Sequence, residues 1–274
     1  MVLDLSQDAF TRLSRMVYER FRILLTERKR SLIVSRLSRF VQTQGFERFE
    51  DYLDAVEDDR SGQAVSELVN RLSTNFTFFN REPAHFEFFQ RQFLAQRDQA
   101  TRGDQRLHVW VPGCASGEEP WMLAICLSEH YGQAVAQKAA ILATDISARA
   151  LSTALEGIYS AENTSRLPAG LRAKYFDEVS AESWRVKDKL RSLVLFRRLN
   201  LNRPAFPFRR GMDAIFCRNV MIYFDVETKE DLARRFHENL LPGGCLFIGH
   251  SESIDGGGRF TRILPAVYRR KEGA

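Results

Sequence analysis

A turn of small residues between positions 112 and 117 constrains the fold of this chain more than any other feature. It follows the apolar run Val109–Val111 and precedes the apolar stretch 121–127, which has the composition of a helix. Glycines and small side chains let a ligand approach the backbone closely, and the first turn of a helix offers free N–H donors. The sequence therefore predicts the strand, glycine-rich turn and helix of a nucleotide-type cofactor site.

The charges that follow the turn narrow the choice of cofactor. Glu118 and Glu119 come directly after it, and the turn itself lacks the G-x-G-x-x-G pattern of dinucleotide sites. Two acidic side chains at this place repel a pyrophosphate but tolerate a cofactor that carries positive charge. S-adenosylmethionine has a sulfonium and an amino group, so the turn favours S-adenosylmethionine over a nicotinamide dinucleotide.

The composition is that of an ordinary globular protein. Hydrophobic residues make up 44% and charged residues 27% of the 274 residues. No run approaches the ~20 apolar residues that cross a bilayer, and the first ten residues lack the features of a signal peptide, so we expect a cytoplasmic protein without membrane insertion. The four cysteines show no C-x-x-C spacing, so neither disulfides nor a metal site is predicted. The net charge of +5 allows an acidic partner without identifying it.

The first third of the chain has helical periodicity only. Apolar residues recur at helical spacing from Leu5 to about Ala95, and a longer helix is expected from Phe86 to about Arg102. The helix expected at about 27–44 is rich in basic residues, namely Arg28, Lys29, Arg30, Arg36 and Arg39. These residues form either a solvated basic face or a docking face for an acidic helix or strand.

Strands and helices alternate after about residue 106. The expected strands are Leu107–Val111, Ala140–Thr144, Leu193–Arg197, Ala214–Cys217 and Cys245–Gly249. This alternation favours an α/β fold with a parallel sheet covered on both faces, in which ligands bind beyond the carboxyl ends of the strands. Weak alternation at about 175–197 predicts a small antiparallel insertion.

Polar residues follow the ends of two expected strands. Asp145 ends the second strand and is placed to accept hydrogen bonds from ribose hydroxyls, although a helix N-cap is the alternative and Ser147 could also supply one. Arg218 and Asn219 follow the fourth strand. If a helical turn begins there, Asn219 and Tyr223 share one face and point into one site. Taken singly, Tyr223 could be a core aromatic and Arg218 a surface charge.

Together these segments resemble the chemotaxis-receptor methyltransferase (CheR) family over nearly the whole chain. The resemblance rests on Thr-Asn-x-Thr and Arg-Glu at 74–82, Gly-x-x-x-Gly-Glu-Glu-Pro at 113–120, Thr-Asp-Ile at 144–146, Asn-Leu at 200–201, Phe-Cys-Arg-Asn-Val-Met-Ile-Tyr-Phe at 216–224 and the Gly-His-Ser-Glu motif that ends at 252. The 216–224 string is the most specific of them.

The resemblance implies a domain organisation and a fold. It implies an N-terminal all-helical, receptor-docking domain at 1–80, a linker helix at 81–105 and an S-adenosylmethionine-dependent methyltransferase domain at 106–274. The methyltransferase domain is expected to have a Rossmann-like class I sheet and an antiparallel β-subdomain insertion at about 175–197. Family members whose β-subdomain binds a receptor tether carry a glycine there. Residues 177–183 contain none, so we expect a tether-independent enzyme.

The resemblance also implies a reaction, transfer of a methyl group from S-adenosylmethionine to glutamate side chains on chemoreceptor cytoplasmic helices, with S-adenosylhomocysteine as product. Tyr223 and Arg81 are expected to orient the reactants and not to carry protons. The residues implied in cofactor binding are Asn75, Thr77 and Arg81 from the junction, Glu119 with Glu118 at the methionine part, Asp145 at the ribose, Asn200 and Leu201 at the adenine, and Arg218 and Asn219 along the pocket.

The implied partner is the set of acidic methylation helices of a chemoreceptor, which would dock on the basic helix at about 27–44. We expect a monomer that binds no nucleic acid. One alternative is a methyltransferase of the same fold acting on a nucleic acid or on a non-chemotaxis receptor-like protein. However, the chain has no Asn/Asp-Pro-Pro-Tyr/Phe motif and no cysteine nucleophile after a proline. A cofactor-sensing interaction protein without catalysis is the other alternative.

Overall fold

The computed structural model describes residues 3–72, 75–101 and 105–272, which divide into two units. The first unit contains the described part of 1–74 together with Tyr223–Thr228. The second contains the described parts of 75–222 and 229–274.

The first unit is helical, as its periodicity predicts. Its helices are α1 (Gln7–Phe21), α2 (Arg30–Thr43), α3 (Phe49–Asp58) and α4 (Gln63–Leu72). Ser6 caps α1 by accepting a hydrogen bond from the amide of Ala9. The inward faces of the four helices bury one apolar core, which includes Phe10, Leu13, Leu37, Leu53 and Leu68. The helix predicted at 27–44 is shorter than expected, because Glu27–Lys29 form a 3-10 turn before α2 begins.

The second unit begins with a non-helical segment at 75–82, which interrupts the helical region expected to run to about Ala95, and its first helix starts earlier than predicted. Helix α5 (Pro83–Phe88) has a proline in its first turn, where the missing amide costs nothing. A π-helical segment at Phe89–Phe93 leads into α6 (Leu94–Thr101). The predicted end at Arg102 lies outside the described residues.

The strands and remaining helices of the second unit alternate. The strands are β1 (Leu107–Pro112), β2 (Ala139–Asp145), β3 (Ile158–Ser160), β4 (Phe176–Ser180), β5 (Ser183–Val186), β6 (Val194–Arg198), β7 (Met212–Cys217), β8 (Leu240–Ile248), β9 (Phe260–Leu264) and β10 (Val267–Arg270). The helices are α7 (Glu118–Tyr131), α8 (Val135–Lys138), α9 (Ala148–Glu156), α10 (Ala161–Thr164), α11 (Leu171–Tyr175), α12 (Asp188–Arg191) and α13 (Val226–Asn239), whose first turn belongs to the first unit.

The main sheet has seven strands in the order β6-β2-β1-β7-β8-β10-β9. The first five are parallel, as predicted, but β10 and β9 are antiparallel and make the sheet mixed. Strand order reverses between β1 and β7, so a binding crevice is expected outside the carboxyl ends of these two strands. The structure confirms the predicted fold class, a Rossmann-like sheet joined to an N-terminal helical region and a small antiparallel sheet.

The small sheet has the order β3-β5-β4. Its strands lie within 158–186, whereas the sequence suggested 175–197. Val194–Arg198 pairs in parallel with β2 and therefore forms the edge of the main sheet.

Aromatic packing fixes the central strands. Phe216 on β7 and Phe247 on β8 stack with ring centroids 3.9 Å apart. Trp110 on β1 is fully buried, and its indole N–H donates to the Thr144 hydroxyl of β2 at 2.9 Å. These contacts hold the carboxyl ends of neighbouring strands in register. Among the described residues, no helix has the length and apolar character required to cross a membrane.

Candidate active site

Five loops lie at the edge of the main sheet where its parallel strands end. They follow β1, β2, β6, β7 and β8. The loop after β1 is joined to β2 by its backbone, since the amides of Gly113 and Cys114 both donate to the carbonyl of Thr144, at 2.7 and 3.0 Å. The loop after β6 is joined to β2 by the amide of Leu199, which donates to the carbonyl of Asp145 at 3.0 Å.

Two glycines in the first loop are required by packing as well as by backbone conformation. Gly113 has φ of +75°, and a Cβ there would lie 2.3 Å from a methyl carbon of Val220. Gly117 has φ of +97°, and a Cβ there would lie 2.8 Å from the Cβ of Ala154. Both conformations favour glycine, and the missing side chains let neighbouring segments close on the turn.

Asp145 joins this turn to the start of α9. Its two carboxylate oxygens accept from the amides of Ala115, at 2.9 Å, and Ser147, at 2.8 Å. Burial raises the pKa of Asp145. The helix N-cap is Ser147, whose hydroxyl accepts from the amide of Ala150, so Asp145 is not the cap. Contact with a ribose remains a prediction for Asp145.

Replacement of Asp145 by asparagine is expected to lower affinity for S-adenosylhomocysteine at least tenfold, about 1.4 kcal/mol. The side-chain NH2 group of the asparagine would face the backbone N–H of Ala115 or Ser147. Two donors cannot bond each other, so the turn is expected to shift. Titration calorimetry on the purified variant measures the affinity. Ser147→Ala is the control, because it removes the helix cap, at a cost of about 1 kcal/mol of stability, and leaves the carboxylate in place. Unchanged affinity in Asp145→Asn would remove Asp145 from the cofactor site.

Arg218, directly after β7, is the centre of a buried charged cluster. Its side chain is fully buried and pairs with Glu82 at 3.2 Å and with Glu119 at 3.0 Å. The same guanidinium also donates to the backbone carbonyl of Arg81. One cation thus holds two carboxylates and the segment before α5. The surface-charge alternative for Arg218 is wrong.

The two acidic residues after the turn have different surroundings. Glu118 has a partner on each oxygen, since it accepts from Asn163 at 2.8 Å and from Ser116 at 2.7 Å. Glu119 gives one oxygen to Arg218, while its other oxygen, Oε1, is buried with no hydrogen-bond partner among the described residues. The unpaired oxygen makes Glu119, of these two, the residue that can accept from a ligand.

Burial raises the pKa of Glu119 to about 7, against the attraction of Arg218. Burial also acts to raise the pKa of Glu82, but Arg218 and the amide of His250 outweigh it, and the net shift is downward. The cluster therefore keeps Glu82 ionised, and Glu119 is the carboxyl that takes up a proton near neutral pH.

This raised pKa predicts a pH dependence of stability. The folded state binds a proton on Glu119 more tightly than the unfolded state does, so the stabilising contribution is complete below the ordinary pKa of about 4.5 and is lost as the pH rises through about 7. Relative to Glu119→Gln, the wild-type free energy of unfolding is expected to fall between these values by up to about 3 kcal/mol. Urea unfolding at several pH values measures the difference. Glu87→Gln, on the exposed side of α5, is the control; equal pH slopes in wild type and Glu119→Gln would contradict the prediction.

The loop after β8 supports Asn219 through a residue that sequence reasoning did not assign to the site. Asn219 has φ of +59° and donates its amide to Glu252 at 2.8 Å. Glu252 also accepts from the amides of Gly249, at 2.6 Å, and Ile222, at 3.1 Å. Glu252 ends the Gly-His-Ser-Glu motif, which was the available signal. Asn219 has a left-handed backbone conformation, and the only helical turn at 219–223 is the 3-10 turn Met221–Tyr223. The prediction that Asn219 and Tyr223 share one helical face is therefore wrong.

Tyr223 is assigned to the first unit. Its carbonyl accepts from the amide of Leu24 at 2.8 Å, and the ammonium group of Lys29 lies 5.5 Å from the centre of its ring. The role of Tyr223 beside the methyl group therefore stays a prediction.

The junction segment places Arg81 next to the cluster through its backbone. The Arg81 side chain donates to the carbonyl of Phe76 at 3.0 Å. Asn75 and Thr77 are half-buried in the same segment, and their contact with the cofactor remains a prediction. Asn80 has φ of +58°, a conformation that asparagine tolerates better than most other residues with a side chain.

Asn200 and Leu201 follow Leu199, which is bonded to Asp145. The side-chain oxygen of Asn200 accepts from the amide of Asn202 at 2.9 Å, and the carbonyl of Leu201 accepts from Arg235 at 2.6 Å. The loop is thereby held at the carboxyl edge of the sheet, and contact with adenine remains a prediction.

Comparison with known families decides what kind of protein carries this arrangement. Residues 8–73 match the family model "CheR methyltransferase, all-alpha domain", and residues 75–266 match "CheR methyltransferase, SAM binding domain". The chain belongs to the CheR methyltransferase family. It is a methyltransferase that depends on S-adenosylmethionine, as predicted.

Curated relatives of this CheR methyltransferase match it over nearly its whole length. A chemotaxis protein methyltransferase of Borreliella burgdorferi is 39% identical over 98% of this chain and 96% of its own. One of Klebsiella aerogenes is 37% identical over 98% and 89%, and one of Escherichia coli K12 is 35% identical over 97% and 92%. The glycopeptide N-methyltransferase MtfA, solved with sinefungin, is 13% identical over 57% of this chain and 48% of its own, with a TM-score of only 0.32.

The residues of this CheR methyltransferase fit S-adenosylmethionine. The unpaired buried oxygen of Glu119 is an acceptor suited to the amino group of the methionine part. Gly113 and Gly117 allow the turn to pack against Val220 and Ala154, and Asp145 lies at the end of the neighbouring strand.

Proposed function

We propose that this CheR methyltransferase methylates glutamate side chains on the cytoplasmic helices of a chemoreceptor and so forms glutamyl methyl esters. The proposal rests above all on the match of both parts of the chain to the family, supported by relatives that carry the name chemotaxis protein methyltransferase. The proposed domains are the helical docking region at 1–80, the linker at 81–105 and the methyltransferase region at 106–274.

The proposed reaction needs no general base. A substrate glutamate is already ionised near neutral pH, since its ordinary pKa is ~4.3. When bound, the cofactor supplies a methyl group on a sulfonium, whose leaving group is a neutral thioether. The residues of the chain then have two tasks, to align the reactants and to exclude water from the carboxylate, and alignment alone can contribute ~7–11 kcal/mol in favourable cases.

Several residues have proposed roles in this alignment. Glu119 holds the amino group of the cofactor, Asp145 the ribose, and Asn200 and Leu201 border the adenine. Arg218 fixes the position of Glu119 through their ion pair. Further residues proposed to line or orient the site are Asn75, Thr77, Arg81, Asn219 and Tyr223.

The basic residues around α2 support an acidic helix as substrate, and the structure divides the four arginines among them into two groups. Arg30 donates to the carbonyl of Leu5, and Arg36 donates to the carbonyl of Leu72, so both serve the fold of the first unit. Arg28 and Arg39 are exposed. These two are the proposed contacts to the receptor helix.

Charge reversal at the exposed pair is expected to raise KM for a receptor fragment at least tenfold while kcat changes little. Replacement of Arg28 and Arg39 by glutamate converts attraction into repulsion, and the effect is expected to shrink at high salt because such charges are screened. Initial-rate measurements at two ionic strengths give both constants. The control reverses one charge on another face, with Arg15→Glu on α1. A normal KM in the double variant would exclude α2 as the docking face.

The reaction itself is tested by incubation of the purified protein with S-adenosylmethionine labelled in its methyl group. Receptor cytoplasmic fragments, the same fragments with the candidate glutamates changed to glutamine, RNA and DNA are the acceptors. We expect label on the unmodified receptor fragment only, released by mild base as an ester is. Base-stable label, or label on nucleic acid, would contradict the proposed substrate.

A further inference from the structure

Three side chains beside the Arg218 cluster bring metal-binding atoms together. Glu82 precedes α5, His85 lies within α5, and His250 follows β8. Their ligand atoms all lie within 4.8 Å of one another. Nδ1 of His85 is 3.5 Å from Oε2 of Glu82, and the two imidazole rings are nearly perpendicular with centroids 4.8 Å apart.

His85 is the unusual member of this group. It is only 1% exposed, and neither ring nitrogen makes a hydrogen bond of ordinary geometry within the described residues. A buried polar group without a hydrogen-bond partner lowers the free energy of unfolding by about 1–3 kcal/mol.

We propose that Glu82, His85 and His250 form a binding site for a divalent transition-metal ion of the zinc type. Two imidazole nitrogens and one carboxylate oxygen are a donor set that zinc takes in proteins, whereas magnesium and calcium prefer oxygen ligands only. Tetrahedral coordination with bonds of about 2.0–2.1 Å separates the ligand atoms by about 3.4 Å. The 3.5 Å between Nδ1 of His85 and Oε2 of Glu82 matches this separation.

The surroundings of the cluster support the same assignment. His250 is exposed, so an ion can reach the cluster from solvent. Oε1 of Glu82 accepts only one long bond among the described residues, at 3.3 Å from the amide of His250.

Arg218 limits how tightly the ion is held. Its guanidinium lies 3.2 Å from Oε2 of Glu82 and repels a second cation. Glu119 offsets part of this repulsion when it is ionised. We therefore expect a reversible site and not a permanent structural metal.

The test uses untagged wild-type protein and Co²⁺, whose visible absorption reports tetrahedral nitrogen and oxygen ligands. We expect one equivalent to bind with this absorption, and equimolar Zn²⁺ to displace it while Ca²⁺ does not. His250→Ala, a change at an exposed side chain, is expected to weaken Co²⁺ binding at least tenfold. His130→Ala is the matched control, since His130 contacts the single carboxylate of Asp98 at 2.9 Å. We expect it to bind Co²⁺ like wild type.

Equilibrium dialysis with metal analysis gives the stoichiometry independently of the spectrum. His85→Asn extends the test to the buried ligand, provided its circular dichroism matches wild type. Absence of the absorption in wild type, or equal Co²⁺ affinity in wild type and His250→Ala, would overturn the proposal. Neither measurement involves methyl transfer, so the result is independent of the proposed function.

Discussion

Replacement of Arg218 by methionine is expected to lower the free energy of unfolding by about 3–5 kcal/mol and to abolish cofactor binding. The guanidinium is fully buried between Glu82 and Glu119. Its loss leaves two mostly buried carboxyl groups without their cation, and the pKa of Glu119 would rise further because Arg218 lowers it. Urea unfolding measures the stability, and calorimetric titration with S-adenosylhomocysteine measures the binding.

Two further variants separate the charge effect from lost packing. The double variant Arg218→Met, Glu119→Gln removes one of the two carboxylates and is expected to recover part of the stability but none of the binding. Arg235→Met removes another buried arginine, whose partner Asp231 is 46% exposed and stays solvated. We expect the Arg235 variant to lose only about 1–3 kcal/mol, through the carbonyls it leaves unpaired. Equal losses in the two single variants would show that buried charge is not the cause.

The central strands could be predicted from sequence because they are continuous apolar runs. The expected strand Leu107–Val111 differs from β1 by one residue, and Ala214–Cys217 lies within β7. Such runs are typical of parallel strands that are buried on both faces of a sheet. The glycine-rich turn was predictable for a related reason, since Gly113 and Gly117 adopt conformations that favour glycine.

The edge of the sheet could not be predicted in the same way. β9 and β10 mix exposed polar residues with buried ones, and their connection turns at Ala266, with φ of +60°, instead of at a glycine or asparagine. Neither the composition nor the turn carries the usual hairpin signal. The strands are held by pairing with β8, which is a tertiary contact.

The charged cluster around Arg218 could not be predicted from the sequence either. Arg218 was expected in the pocket, but its partner Glu82 lies 136 positions earlier in the chain. Spacing rules describe neighbours within one helix or strand, so they could not bring together Glu82, Glu119 and Arg218. The same reason applies to His85 and His250, whose proposed metal site has no local motif.

Replacement of Gly113 by alanine is expected to lower cofactor affinity at least a hundredfold. Two costs act together at this position. The backbone has φ of +75°, which strains a residue with a side chain by about 1–3 kcal/mol, and the new Cβ would lie 2.3 Å from Val220. The turn between β1 and α7 would have to move, and Val220 directly follows Asn219. Titration calorimetry with S-adenosylhomocysteine measures the loss.

The chain offers a control for each cost. Gly170 has φ of +80° with nothing within 4 Å of its missing Cβ, so Gly170→Ala measures backbone strain alone. Gly113→Ala combined with Val220→Ala keeps the strain and shortens the side chain that the new Cβ would meet. We expect Gly170→Ala to bind the cofactor normally and the double variant to recover part of the affinity lost by Gly113→Ala. If Gly113→Ala itself bound normally, the turn would be able to move without loss of the site, and the close approach of backbone and cofactor predicted from the glycines would be wrong.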